Sequence, residues 1–185
     1  AHAFGVTYNG ESLLKYGDAA TLSFHATKLF HTVEGGAIVF KRKEDLEAAK
    51  LMINFGLAGP EQIDALGINA KMNEIQAAMG LSVLDEMASI KEARKQVHDH
   101  YTKCLNGNLK FQKWNERCQR NYAYCPVVFK EPDGLLNVLE ELKKENIQAR
   151  RYFFPSLNTL SVSNSRFTMK NSEALAERIL CLPIY

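Results

Sequence analysis

Apolar and polar positions along the chain fall into distinct textures, each with its own period. Phe4 to Tyr8 and Ser12 to Tyr16 flank Asn9-Gly10, the dipeptide best suited to the positive φ angles of a tight turn, and predict a β-hairpin. Ala20 to Phe24 and Gly36 to Phe40 are apolar or β-prone runs of strand length, and Glu34-Gly35-Gly36 supplies a turn before the second. KRKEDLEAAKLMINFG places Leu46, Ala49 and Ile53 at helical spacing, and the Gly/Pro-rich GLAGP after it predicts a loop. From about Met72 the pattern predicts one long helix. Asn73 and Gln76 stand in capping-box register, and Ile75, Met79, Leu84, Met87, Ile90, Val97 and Tyr101 form its apolar stripe. Asn106-Gly107 ends it.

Beyond that point the texture becomes strand, helix, strand. Tyr122 to Phe129 predicts a strand, Asp133-Gly134 opens a helix running to about Glu145, and Ile147 to Phe154 is extended up to Pro155. The expected organisation is therefore an α/β chain in two parts, residues 1–108 and 109–185, with no internal repeat.

Composition narrows the function classes. With 185 residues, 46% of them hydrophobic, the chain can build a core and is not disordered. A net charge of +2 without a Lys/Arg block argues against a nucleic-acid partner, and no apolar run approaches the ~20 residues that span a bilayer. The expectation is no membrane partner and a cytoplasmic location. Cys104, Cys118, Cys125 and Cys181 lack metal-ligand spacing and read as reduced thiols. On a helix His98 and His100 point to different faces, so no metal site is expected. The chain opens at AHAFG and stops at RILCLPIY without start or cap signals, so further residues are expected beyond both ends.

Lys28 falls in the connection between the strands at Ala20 and Gly36. A lysine in a dry elbow loses its charge readily, and a neutral amine attacks a carbonyl to form a Schiff base. Ser23, His25 and Thr27 add hydrogen-bonding groups that a phosphate could use; capping of strand ends is the alternative for them, and a solvated surface position is the alternative for Lys28.

SFHATKLFHTVEGGAIV, LGINAKMNEIQAAMGL, ARRYFFPSLN and LCLPIY occur in this order over essentially the whole chain. In them the sequence resembles the pyridoxal-phosphate-dependent sugar aminotransferases of the DegT/StrS family, which have the aspartate-aminotransferase type I fold. The resemblance implies the C-terminal part of a large cofactor-binding domain followed by a small α/β domain, with the N-terminal half of the large domain absent. Lys28 matches the Schiff-base lysine, which also moves the proton of the transfer. Ser23 matches a phosphate-binding serine, and His2 a residue that touches the phenolic oxygen of pyridoxal phosphate. Asn69 matches an asparagine that reaches the phosphate from the partner subunit, which implies a homodimer with shared active sites. The aspartate that pairs with the pyridinium nitrogen would precede residue 1.

Substrate contacts follow less directly from the resemblance. Lys71 stands where many members carry arginine, and gives up the bidentate fork. Arg151 and Tyr152, with Pro155, match a segment near the sugar-nucleotide pocket, but Leu157 and Asn158 stand where many members have a histidine; core packing accounts equally for Phe153 and Phe154. His25 is placed to meet substrate, whereas Glu34 either faces the pocket or caps a backbone amide. The implied reaction moves an amino group from L-glutamate to a nucleotide-linked keto-deoxysugar, at C4 because of the EGG pattern. A C3 transferase is the alternative within enzymes, and a non-catalytic dimerising or regulatory paralogue the alternative outside them. A dehydratase of this fold is disfavoured, since Lys28 is present.

Overall fold

The protein is described by a computed structural model that covers residues 1–163 and 167–185. β1 (Thr7–Tyr8) and β2 (Glu11–Ser12) form the predicted hairpin, with Asn9 and Gly10 both at positive φ. Its second arm is shorter than the Ser12-to-Tyr16 run. The Ser12 hydroxyl accepts the Leu14 amide and starts a 3-10 turn over Leu13–Lys15, so the backbone leaves strand geometry. β3 (Ala19–Ser23) and β4 (Gly36–Phe40) pair antiparallel, from Ala19 opposite Phe40 to Ser23 opposite Gly36, as the apolar runs predict.

α1 (Lys43–Ile53) agrees with its periodicity. The stretch after it, expected as a loop, holds a small hairpin of β5 (Leu57–Gly59) and β6 (Gln62–Ile63), with Pro60-Glu61 at the turn. The long helix is two helices, α2 (Glu74–Asp85) and α3 (Met87–Leu105), separated at Glu86, whose ψ of 1° interrupts the helical course. The Asn73–Gln76 capping box is formed in full at the start of α2. The break shifts the phase of the apolar stripe. Met79, Met87 and Ile90 pack inward while Ile75 and Leu84 are exposed.

β7 (Lys110–Phe111), β8 (Cys118–Gln119) and β9 (Cys125–Val128) follow. The predicted strand from Tyr122 begins only at Cys125, because Tyr122 adopts φ +53°, outside strand geometry. α4 (Pro132–Lys144) opens with proline in its first turn, where the missing amide costs no bond, and ends with Lys143 and Lys144 against its negative pole. Ile147 to Phe154 is not a strand: one bridge, Arg150 with Cys181, is its link to the sheet. α5 (Lys170–Ala176) and β10 (Ile179–Leu182) close the chain.

Two units result, residues 1–91 with 115–123, and residues 92–114 with 124–185. A boundary after residue 108 cuts the second of them. In the first, β8 returns to pair with β1, and Phe24, Phe30 and Val83 form a buried core with Phe4, Leu22 and Met79 packed on it. In the second, the antiparallel sheet β10-β9-β7 packs Val127, Phe129 and Leu180 against Leu135 of α4. Each such side chain contributes about 1.5–3 kcal/mol on burial.

Candidate active site

Lys28 sits on the connection between β3 and β4. Phe24 and Phe30 are buried edge-to-face at 4.7 Å, and Phe4 stacks on Phe30 at 4.5 Å, so both ends of the loop are fastened to the core. The backbone pinches the loop shut: the Thr32 amide donates to the Phe24 carbonyl, and the Phe24 amide to the Gly35 carbonyl, each at 2.9 Å. Gly35 has φ +154°, and a Cβ there would come within 2.4 Å of the Thr32 hydroxyl, so the turn needs glycine. What this framework leaves outward is His25, Thr27 and Lys28. The elbow is less closed than a dry pocket, since Lys28 is half-buried and the His25 side chain is 48% exposed.

Lys28 Nζ lies 2.8 Å from His2 Nε2. Partial burial, and then the Lys28 ammonium, lower the His2 pKa below its ordinary value, so the imidazole is neutral at neutral pH. A neutral Nε2 accepts from the lysine. The His2 segment is held from far along the chain by Asn121, a buried residue whose Nδ2 donates to the carbonyls of His2 and Phe4, each at 2.9 Å. Asn121 Oδ1 accepts the Ala123 amide at 3.1 Å. Sequence reasoning missed Asn121, because no local pattern marks an asparagine that works across 119 positions.

The other expected site residues are placed as follows. Ser23 ends β3 opposite Gly36, half-buried, at the entrance to the Lys28 loop. Asn69 is exposed on a segment tied to the end of α1, where the Ile68 amide donates to Met52 and the Ala70 amide to Ile53. Among the described residues Asn69 makes no hydrogen bond to Ser23 or Lys28. Lys71 Nζ lies 4.2 Å over the Phe55 ring. In the second unit Arg151 donates through Nη2 to the Ala176 and Glu177 carbonyls at the end of α5 and covers the Phe154 ring at 3.6 Å. Among the described residues its Nε is buried without a partner. The Tyr152 hydroxyl accepts from Arg150 at 2.7 Å, and its ring meets Tyr124 edge-on. Among the described residues no group of three or more His, Cys, Asp or Glu could hold a metal ion, and no helix is long and apolar enough to cross a membrane.

This fold is that of an aminotransferase. The solved structure of DesI with its TDP-sugar product matches 99% of this chain at a TM-score of 0.88 and 33% identity, and 48% of DesI is covered. Spr1654 from Streptococcus pneumoniae in its PLP form matches all of the chain at 0.88 and 27% identity, over 51% of that protein. The chain belongs to the DegT/DnrJ/EryC1/StrS aminotransferase family, whose model matches residues 1–185. A dTDP-4-amino-4,6-dideoxy-D-glucose transaminase of Shigella dysenteriae is 36% identical over the whole chain, which covers 52% of it. The chain spans about half the length of the relatives it matches. The family uses pyridoxal phosphate, and the groups around Lys28 suit that cofactor: a half-buried amine, a neutral imidazole beside it and a hydroxyl at the loop entrance.

Proposed function

We propose that this chain is the lysine-bearing part of a pyridoxal-phosphate-dependent sugar aminotransferase. It moves an amino group from L-glutamate to a nucleotide-linked 4-keto-6-deoxyhexose, carried on dTDP or UDP. The observation that carries the reading is the 2.8 Å contact between Lys28 Nζ and a neutral His2 imidazole, on a loop that the family match spans in full. Preference for C4 rests on the 36% identity to a 4-amino-4,6-dideoxy-sugar transaminase.

When bound, pyridoxal phosphate supplies the electron sink that makes a carbon next to nitrogen acidic. Lys28 provides the amine that holds it and then the base that takes and returns the proton in both half-reactions. His2 Nε2 accepts a hydrogen bond from Lys28 and would orient the phenolic oxygen of the bound cofactor. The Ser23 hydroxyl would donate to the phosphate of the bound cofactor. Asn69 acts on the phosphate of a second subunit, and the exposure of its neighbours Leu66 (94%) and Ile68 (68%) supports a surface that another chain covers. The protein acts in the cytoplasm as a homodimer with shared sites. Lys71, Arg151 and Tyr152 are substrate contacts by resemblance alone; their side chains here engage Phe55, the end of α5 and Arg150.

The test uses the full-length protein, pyridoxal phosphate and borohydride reduction, followed by peptide mass mapping. The label is expected on Lys28 and absent from Lys28→Ala; no label with Lys28 intact overturns the enzyme reading. The pyridoxamine form is then offered 3-keto and 4-keto nucleotide sugars. Turnover of the 3-keto sugar alone would replace C4 by C3.

A further inference from the structure

The turn that presents Lys28 is closed by one side chain. The His25 carbonyl accepts the Lys28 amide at 2.9 Å, which makes residues 25–28 a β-turn. His25 Nδ1 accepts the Thr27 amide at 3.2 Å and lies 2.9 Å from the Thr27 hydroxyl oxygen. An amide N–H can only donate, so Nδ1 presents its lone pair and the proton of the neutral ring sits on Nε2. Nε2 faces a Glu34 carboxylate oxygen at 3.6 Å across the base of the connection, too long for a hydrogen bond. The Glu34 backbone is fixed in turn, because its carbonyl accepts the hydroxyl of the fully buried Thr32 at 2.6 Å.

Nδ1 of His25 is thus committed within the loop, while Nε2 faces Glu34. A substrate group could reach Nδ1 only by displacing Thr27. A side chain that accepts the amide two residues on performs the job that asparagine and aspartate do in Asx-turns. Fixing Ala26 and Thr27 in this way lowers the conformational freedom lost each time the amine of Lys28 meets a carbonyl.

We propose that His25 is a positioning residue for Lys28, locking the 25–28 turn through Thr27 and bracing it against Glu34, and that it does not contact the sugar. The proposal rests on Lys28 being the cofactor-binding lysine. It is tested on full-length protein stripped of cofactor, in two measurements. Stopped-flow absorbance follows capture of added pyridoxal phosphate by Lys28, and NMR hydrogen exchange reads the Thr27 amide without any cofactor.

Loss of one such bond predicts that His25→Ala slows capture about five- to tenfold and speeds Thr27 exchange by a similar factor. His25→Asn, whose Oδ1 can replace Nδ1, should return both to within about twofold of the parent protein. Unchanged capture in His25→Ala overturns the proposal, as does an asparagine variant as slow as alanine. So does a defect seen only as a raised KM for the sugar, which would make His25 a substrate contact. A parent protein that captures no pyridoxal phosphate refutes the cofactor reading itself, and the role of His25 falls with it, whereas failure of the variants alone leaves that reading standing.

Discussion

Replacing Asn121 by alanine removes three hydrogen bonds from one buried side chain: two donated to the His2 and Phe4 carbonyls at 2.9 Å and one accepted from Ala123 at 3.1 Å. At about 1 kcal/mol net for each bond the sum is about 3 kcal/mol, reduced to about 2 because the carbonyl of exposed His2 regains water. The expected loss for Asn121→Ala is therefore about 2–3 kcal/mol, read as a shift in the urea midpoint of the full-length protein at unchanged slope. A second consequence is local. With the segment released, the 2.8 Å contact between His2 and Lys28 loosens, and pyridoxal phosphate should bind about tenfold more weakly, a change of about 1.4 kcal/mol. A midpoint shift worth less than about 0.5 kcal/mol would refute the bond accounting. Full loss of stability with unaltered cofactor affinity would refute the dependence of the lysine contact on Asn121.

Two further outcomes are expected. A Cβ at Gly80 would meet Thr32 Cγ2 at 2.9 Å and Phe30 Cζ at 3.5 Å, so Gly80→Ala should destabilise by about 1–3 kcal/mol in the same urea assay despite alanine's better helix propensity. A neutral or stabilising change would show that α2 can move away from the loop. Burial pushes the thiols of Cys125 and Cys181 up to about 11, which leaves about one part in a thousand as thiolate at pH 8. In a timed alkylation of native protein, peptide mapping should find exposed Cys104 modified first and these two last; early modification of Cys125 would contradict the burial.

Local patterns made part of this structure readable. The pairing of β3 with β4, the capping box of α2 and the position of Lys28 between strands are each set by residues within a few positions of one another. Features decided by distant partners were not readable. The break at Glu86 lies in a stretch whose apolar period continues across it, and only the packing of Met87 and Ile90 reveals the new phase. Ile147 to Phe154 has strand composition, yet its backbone meets the sheet at one bridge. Arg151 carried a substrate expectation by motif, while the structure shows it holding the end of α5, a contact 25 positions away. At the candidate site the pattern is the same. The lysine was legible, and the buried amide that fastens its histidine was not.

The return of β8 to β1 has a consequence for how the protein is made. Thr7 pairs with Gln119, and Asn121 grips His2 across 119 positions, so β1 leaves the ribosome well before the partner it pairs with. At a synthesis rate of roughly 5–20 residues per second the wait is roughly 6 to 24 s. The neighbourhood of Lys28 is therefore completed during translation only when residues 115–123 emerge.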